Sequence, residues 1–238
     1  HRIQARPSLI ANARSSNLVI ATGAGLEDGW LPVVQREANN PAILNGQPGF
    51  LAASAYVRML DVPAVVDRTM GDVHAAGNPH IQTDPRNMLL VGRALSARLE
   101  QLDPENAAYY RNRSEQFQKD WQTNLVRWQK EGAPLRGVKV WAQHDGYPYM
   151  NAWLGLNQVG VLEPRPGVEP SSRQLADIVQ RQQTLQARLV IASAYMNDAP
   201  ARWLSEKAGI PEVVLPFTVG GNERVKSLIE LYDDTLNR

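Results

Sequence analysis

The 238 residues carry 25 Lys and Arg against 24 Asp and Glu, a formal charge of +1, with 43% hydrophobic residues and no cysteine. A balance so near neutral, without any Lys/Arg run or basic-aromatic interleaving, excludes an electrostatic case for nucleic acid or an anionic membrane surface. Missing cysteines exclude disulfides and thiolate metal sites, and the longest apolar runs, such as Leu18 to Ala21 and Leu189 to Ala192, are far shorter than a bilayer-spanning helix.

The length allows two domains with real cores, and the order of elements reads as α/β. A short helix is predicted from Leu9 to Ser15 with Ser8 as its cap, then a strand over Asn17 to Thr22. Gly23-Ala24-Gly25 follows that strand, but Asp28 stands where a dinucleotide fingerprint needs its next glycine, so Gly23 to Gly29 reads as a plain loop. A second strand is predicted over Ala64 to Asp67. Asp84-Pro85 gives an N-cap and a proline at the first helical position, opening a helix through Leu89, Leu90 and Leu95.

Asp103-Pro104 then divides a strand-free region, and a second helix runs through Tyr109, Phe117, Trp121, Leu125 and Trp128. Those residues recur at helical spacing and read as a packed face rather than an aromatic binding box. About 27 residues at 1.5 Å each make a helix of ~40 Å, long enough to link two lobes. The boundaries drawn from this are 1–103, 104–131 for the linking helix, and 132–238. Four more strands are predicted over Val138 to Gln143, Gln158 to Leu162, Arg188 to Ala194 and Val213 to Phe217, alternating with helices.

Only four histidines occur, His1, His74, His80 and His144, all beside turn-forming residues. Pro79 fixes its own φ and pushes Asn78 toward extended backbone, so His80 sits on a stiff non-helical segment just before a helix. His144 follows a strand, at the carboxyl end where parallel α/β sheets gather ligands. Each histidine alone reads as an ordinary turn residue; together they read as a metal site assembled from distant segments. The catalytic motifs that are easiest to find in sequence, a P-loop, HExxH or G-x-S-x-G, do not occur. Ser8, Ser171 and Ser172 adjoin prolines at helix starts and read as caps. Glu163 and Glu169 could form an acid/base pair, but the prolines at 164, 166 and 170 make the stretch read as an interlobe linker.

Several segments in order carry a resemblance: His1 with Gln4-Ala5-Arg6-Pro7-Ser8, Gly77-Asn78-Pro79-His80 to Asp84-Pro85, His144-Asp145-Gly146-Tyr147-Pro148-Tyr149, Glu163 to Pro170, and Pro216-Phe217-Thr218-Val219-Gly220-Gly221. Together they resemble the zinc/manganese solute-binding proteins that feed ABC importers, over essentially the whole chain. The resemblance implies two Rossmann-like lobes joined by a long rigid helix, with metal held in the interlobe cleft by His1, His80 and His144. It also implies a signal peptide, a first strand and a first helix ahead of the position of His1, and an exported protein of the periplasm or cell envelope.

Relatives of this kind supply an aspartate where Val219 stands, and valine cannot bind metal. Water, Asp145, Glu223 or the absent N-terminal segment are then candidates for the fourth position, and His74 for a lid or supporting role. Imidazole suits zinc, whereas manganese prefers oxygen donors, so Zn2+ is expected ahead of Mn2+. The function implied is a monomeric carrier that delivers metal to an ABC permease. The rivals are a zinc-dependent hydrolase that activates water at an open coordination position, with only Asp145 to serve as base, and a carrier-like fold with altered ligand specificity.

Overall fold

The computed structural model describes residues 3–64 and 74–238. These divide into two units, one of residues 3–64, 74–81 and 86–122, the other of residues 82–85 and 123–238.

The first unit opens with α1 (Pro7–Ser15), in which Pro7 occupies the first helical position and Arg6, not Ser8, stands at the N-cap without a side-chain hydrogen bond. The expected Ser8 cap is therefore absent: proline at the first position supplies the helical φ and has no N–H to satisfy. β1 (Val19–Ala21) pairs in parallel with β2 (Phe50–Ala52). β2 carries no sequence signal, because three residues are too few to show alternation. Between them lies α2 (Leu31–Ala38), whose Val34 and Ala38 bury against Ala13 of α1 and Ile43. Of the expected strand over Ala64 to Asp67, all but Ala64 lies outside the described residues.

Pro85 begins α3 (Pro85–Leu102), as the Asp84-Pro85 signal predicts. A 3₁₀ turn over Pro104–Asn106 precedes α4 (Ala107–Gly132). Asp103 does not cap that turn with its side chain. Its carboxylate instead accepts from the Tyr110 hydroxyl at 2.7 Å and the Asn106 amide at 2.9 Å. The division between units falls inside α4, after Gln122. Trp121 and Trp128, seven residues apart, are buried, but Tyr109 is 62% exposed and does not belong to the packed face predicted for it.

The second unit holds a four-stranded parallel sheet in the order β4-β3-β5-β6, formed by β3 (Lys139–Ala142), β4 (Asn157–Val161), β5 (Leu189–Ser193) and β6 (Glu212–Leu215). All four strands predicted for this half are present. The connecting helices are α5 (Pro148–Leu154), α6 (Ser172–Leu185) and α7 (Ala199–Ala208), with α8 (Leu228–Asn237) closing the chain. Ser171 caps α6 through a reciprocal box with Gln174, as its position beside Pro170 suggests.

Side chains alternate across the sheet. Trp141 faces a cluster with Leu162, Leu175, Ile178 and Leu204, while Val140 and Ala142 face one with Tyr147, Met150 and Leu215. The register slips once: Val140 pairs with Gln158 but Trp141 with Gly160, leaving Val159 as an extra residue. Gly160 is required there, since a Cβ would lie 2.4 Å from Trp141 Cζ3. Gln182, buried at the end of α6, accepts from Trp141 Nε1 at 2.8 Å and donates to the Ala187 carbonyl at 2.9 Å, satisfying the polar groups under this cluster.

Candidate metal centre

His80 lies in the first unit and is 7% exposed. The segment before it is pinned by backbone chemistry. Gly77 adopts φ +105°, and a Cβ there would meet the Leu60 carbonyl oxygen at 2.7 Å. Asn78 N–H donates to that same carbonyl at 2.8 Å. The Asn78 side-chain oxygen then accepts from the His80 backbone N–H at 3.0 Å and stands 2.7 Å from His80 Nδ1. A carbonyl oxygen only accepts, so this contact places the ring hydrogen on Nδ1 and the lone pair on Nε2, the nitrogen that would coordinate metal.

His74 belongs to the same unit and is half-buried beside the loop after β1, where a Cβ on Gly25 would lie 3.1 Å from its Nδ1. That loop holds its own shape: the Glu27 carboxylate accepts from the Thr22 and Gly23 N–H groups, each at 2.9 Å.

His144 lies in the second unit, two residues beyond β3, with a side chain 12% exposed. Its Nδ1 is 2.7 Å from Glu163 Oε2, and the Glu163 side chain is only 5% exposed. Glu163 continues from β4, its N–H donating to the Gln143 carbonyl at 3.1 Å. The following residues fold back through an isolated antiparallel bridge between Arg165 and Val168, which brings the Gly167 N–H to Glu163 Oε2 at 3.0 Å. The stretch expected to act as an interlobe linker thus lies inside the second unit, and its first residue turns inward onto a histidine.

An aromatic wall adjoins His144. A Cβ on Gly146 would lie 3.0 Å from Phe217 Cε2 and 3.3 Å from His144 Cδ2, so any larger residue would have to push the rings back by a few tenths of an ångström. Phe217 holds a left-handed φ of +67° and packs on Tyr147 and Tyr195 with ring centroids 5.5 and 5.0 Å away. Burial, with the nearby Glu163 charge, pushes the Tyr195 phenol up to about 12 against the smaller opposing effect of its hydrogen bond to Ser193, even though the residue is 58% exposed.

The remaining predicted residues sit as follows. Asp145 Oδ1 accepts from Gln158 Nε2 at 3.0 Å, and Gln158 Oε1 accepts from Asn151 at 2.9 Å. Glu223 is an exposed turn residue between Asn222 and Arg224. Val219 is 39% exposed in the loop after β6. His1 lies outside the described residues. Among the described residues no three His, Cys, Asp or Glu side chains form a group that could hold a metal ion. Asn78 and Glu163 are the residues that sequence reasoning passed over as histidine partners. Asn78 carries a local signal, an Asx residue two before His80, whereas the Glu163 contact spans 19 residues and has none.

The sequence model of the family described as "Zinc-uptake complex component A periplasmic" matches residues 1–238. The zinc-binding protein AdcA of Streptococcus pyogenes serotype M1 is 23% identical over 156 residues, covering 63% of this chain and 29% of that protein; the chain thus spans under a third of the length of that curated relative. A putative metal-binding protein of Treponema pallidum is 20% identical over the whole chain and 75% of its own. Among solved structures, a crystal structure of ZnuA superposes with a TM-score of 0.75 at 17% identity, covering 100% of this chain and 85% of that one. The Mn2+ complex of FpvC from Pseudomonas aeruginosa gives 0.76 at 19%, covering 100% and 84%. A Cd-bound periplasmic metal-binding protein from Candidatus Liberibacter asiaticus gives 0.76 at 14%, with the same coverage. These likenesses establish a shared fold.

Proposed function

Because the chain belongs to the zinc-uptake complex component A family, whose model spans all of its residues, we propose that it is an extracytoplasmic carrier that captures zinc and passes it, as a monomer, to an ABC permease. His1, His80 and His144 are the proposed ligands, with water or an oxygen donor such as Asp145 or Glu223 at the fourth position, since Val219 has no donor atom.

The observation that carries this reading is the common condition of His80 and His144, the two proposed ligands among the described residues. Each has an oxygen acceptor 2.7 Å from Nδ1, which puts the ring hydrogen there and the lone pair on Nε2, the arrangement in which metal-binding histidines are usually held. Imidazole donors favour zinc over manganese. The Mn2+ and Cd named for two similar structures make selectivity a matter for measurement.

The chain is a solute-binding protein and not an enzyme. No helix of the described residues is long and apolar enough to cross a membrane. Isothermal titration of metal-free protein with zinc and with manganese tests the reading. One zinc per chain, bound more tightly than manganese and weakened at least about tenfold (1.4 kcal/mol) in His80→Ala, is the expected result. Equal zinc affinity in the variant would remove His80 from the site.

A further inference from the structure

We infer that Glu163 is a positioning residue: its buried carboxylate fixes His144 in the Nδ1-protonated tautomer and backs that imidazole with negative charge, making it a stronger donor than a neutral acceptor would. This rests on the reading of His144 as a zinc ligand.

Three features separate this contact from a casual ion pair. The Glu163 side chain is 5% exposed, and a carboxylate is not buried at that depth without hydrogen bonds to its charge. A single oxygen, Oε2, takes both the His144 ring and the Gly167 N–H, at 2.7 and 3.0 Å. Gly167 reaches that oxygen because it sits at φ +80°, in a left-handed turn closed by the Arg165–Val168 bridge. The loop is thus shaped around the carboxylate, and the carboxylate aims the ring.

His80 offers the contrast. Its Nδ1 faces the neutral Asn78 amide oxygen at 2.7 Å. A carboxylate partner accepts a stronger, charge-assisted hydrogen bond and partly offsets the charge of a bound dication, where an amide only orients the ring. Of His80 and His144, only His144 therefore has a charged acceptor behind its ring.

The test uses the whole chain with Glu163→Gln and Glu163→Ala. In the metal-free protein, long-range ¹⁵N–¹H NMR reads the His144 tautomer; zinc titration reads affinity; far-ultraviolet circular dichroism verifies the fold. Wild type is expected to show a protonated Nδ1. Glu163→Gln keeps an acceptor oxygen but no charge, so it should retain that tautomer and lose zinc affinity. Glu163→Ala should lose both, with zinc weakened on the order of 10- to 100-fold. A folded Glu163→Ala variant with the wild-type His144 tautomer would overturn the inference, and so would unchanged zinc affinity in both variants while His144→Ala loses zinc. If His144→Ala itself binds zinc normally, the ligand assignment fails, and the NMR signature alone then decides whether Glu163 sets the tautomer.

Discussion

The Tyr232 hydroxyl donates to the Gln82 carbonyl at 2.7 Å across 150 residues of sequence. Tyr232 lies in α8 and is 1% exposed, so the last helix of the chain is fastened to the short segment that follows His80. Tyr232→Phe removes the hydroxyl while keeping the ring, and leaves that carbonyl short of a donor. A loss of about 1 to 3 kcal/mol is expected, read by urea denaturation as a lower midpoint with an unchanged slope.

Beside Tyr232, with ring centroids 5.0 Å apart, lies the fully buried Trp128, whose indole N–H donates to Asp233 at 2.6 Å. Trp128→Ala empties the largest buried volume at this end of the second unit and should cost ~3 to 5 kcal/mol. Trp128→Phe keeps most of the volume and loses the hydrogen bond, so its thermal midpoint should fall between those of wild type and Trp128→Ala.

Gly160→Ala drives a methyl group into Trp141, which cannot retreat because it is fully buried and tethered to Gln182. Overpacking of this kind costs ~1 to 3 kcal/mol. Chemical denaturation of the variant should show that loss; a midpoint equal to wild type would mean the ring has room to move.

Alkaline pH should act through the tyrosines. Burial holds the Tyr147, Tyr195 and Tyr232 phenols protonated beyond their ordinary range, with Tyr195 pushed up to about 12. A free tyrosine ionises near 10, so above that pH the unfolded chain has released protons that the folded chain still holds. Stability from these groups is therefore complete below pH ~10 and, for Tyr195, is lost as pH rises from 10 through 12. Phenolate absorbance during an alkaline titration should show these residues ionising late or only with unfolding.

Zinc affinity should fall as the medium is acidified below roughly 6.5, where a free imidazole takes up a proton and stops coordinating. Titrations at pH 7.5 and pH 5 check this. Equal affinity at both would point to oxygen ligands in place of the proposed histidines.

Much of the second unit is legible in the chain because its strands are short apolar runs bounded by turns, and Val138 to Gln143 and Arg188 to Ala194 enclose the strands found there. The first unit is harder to read: β2 has three residues and no alternation, and the Ser8 cap signal gives way to Pro7. His80 and His144 declare themselves by rarity and by the turns beside them. What holds them is less visible. Glu163 looks like one more acidic residue in a proline-rich stretch, because a contact between the ends of neighbouring strands depends on sheet register, which local pattern does not encode.

That register has a consequence for how the chain tolerates changes in length. The extra residue Val159 shifts the alternation of β4, so that Gly160 and Leu162 turn to the Trp141 side and Glu163 to the side of Val140, Ala142 and His144. Deleting Val159 would remove the bulge and leave Gln158 and Gly160 as chain neighbours opposite Val140 and Trp141, so every later residue would keep its partner and its face. A codon lost at Val159 is therefore one the strand can absorb, whereas one lost at Val161 would turn Leu162 and Glu163 to the opposite faces and undo both the hydrophobic layer and the histidine's support, although neither Trp141 nor His144 had been touched.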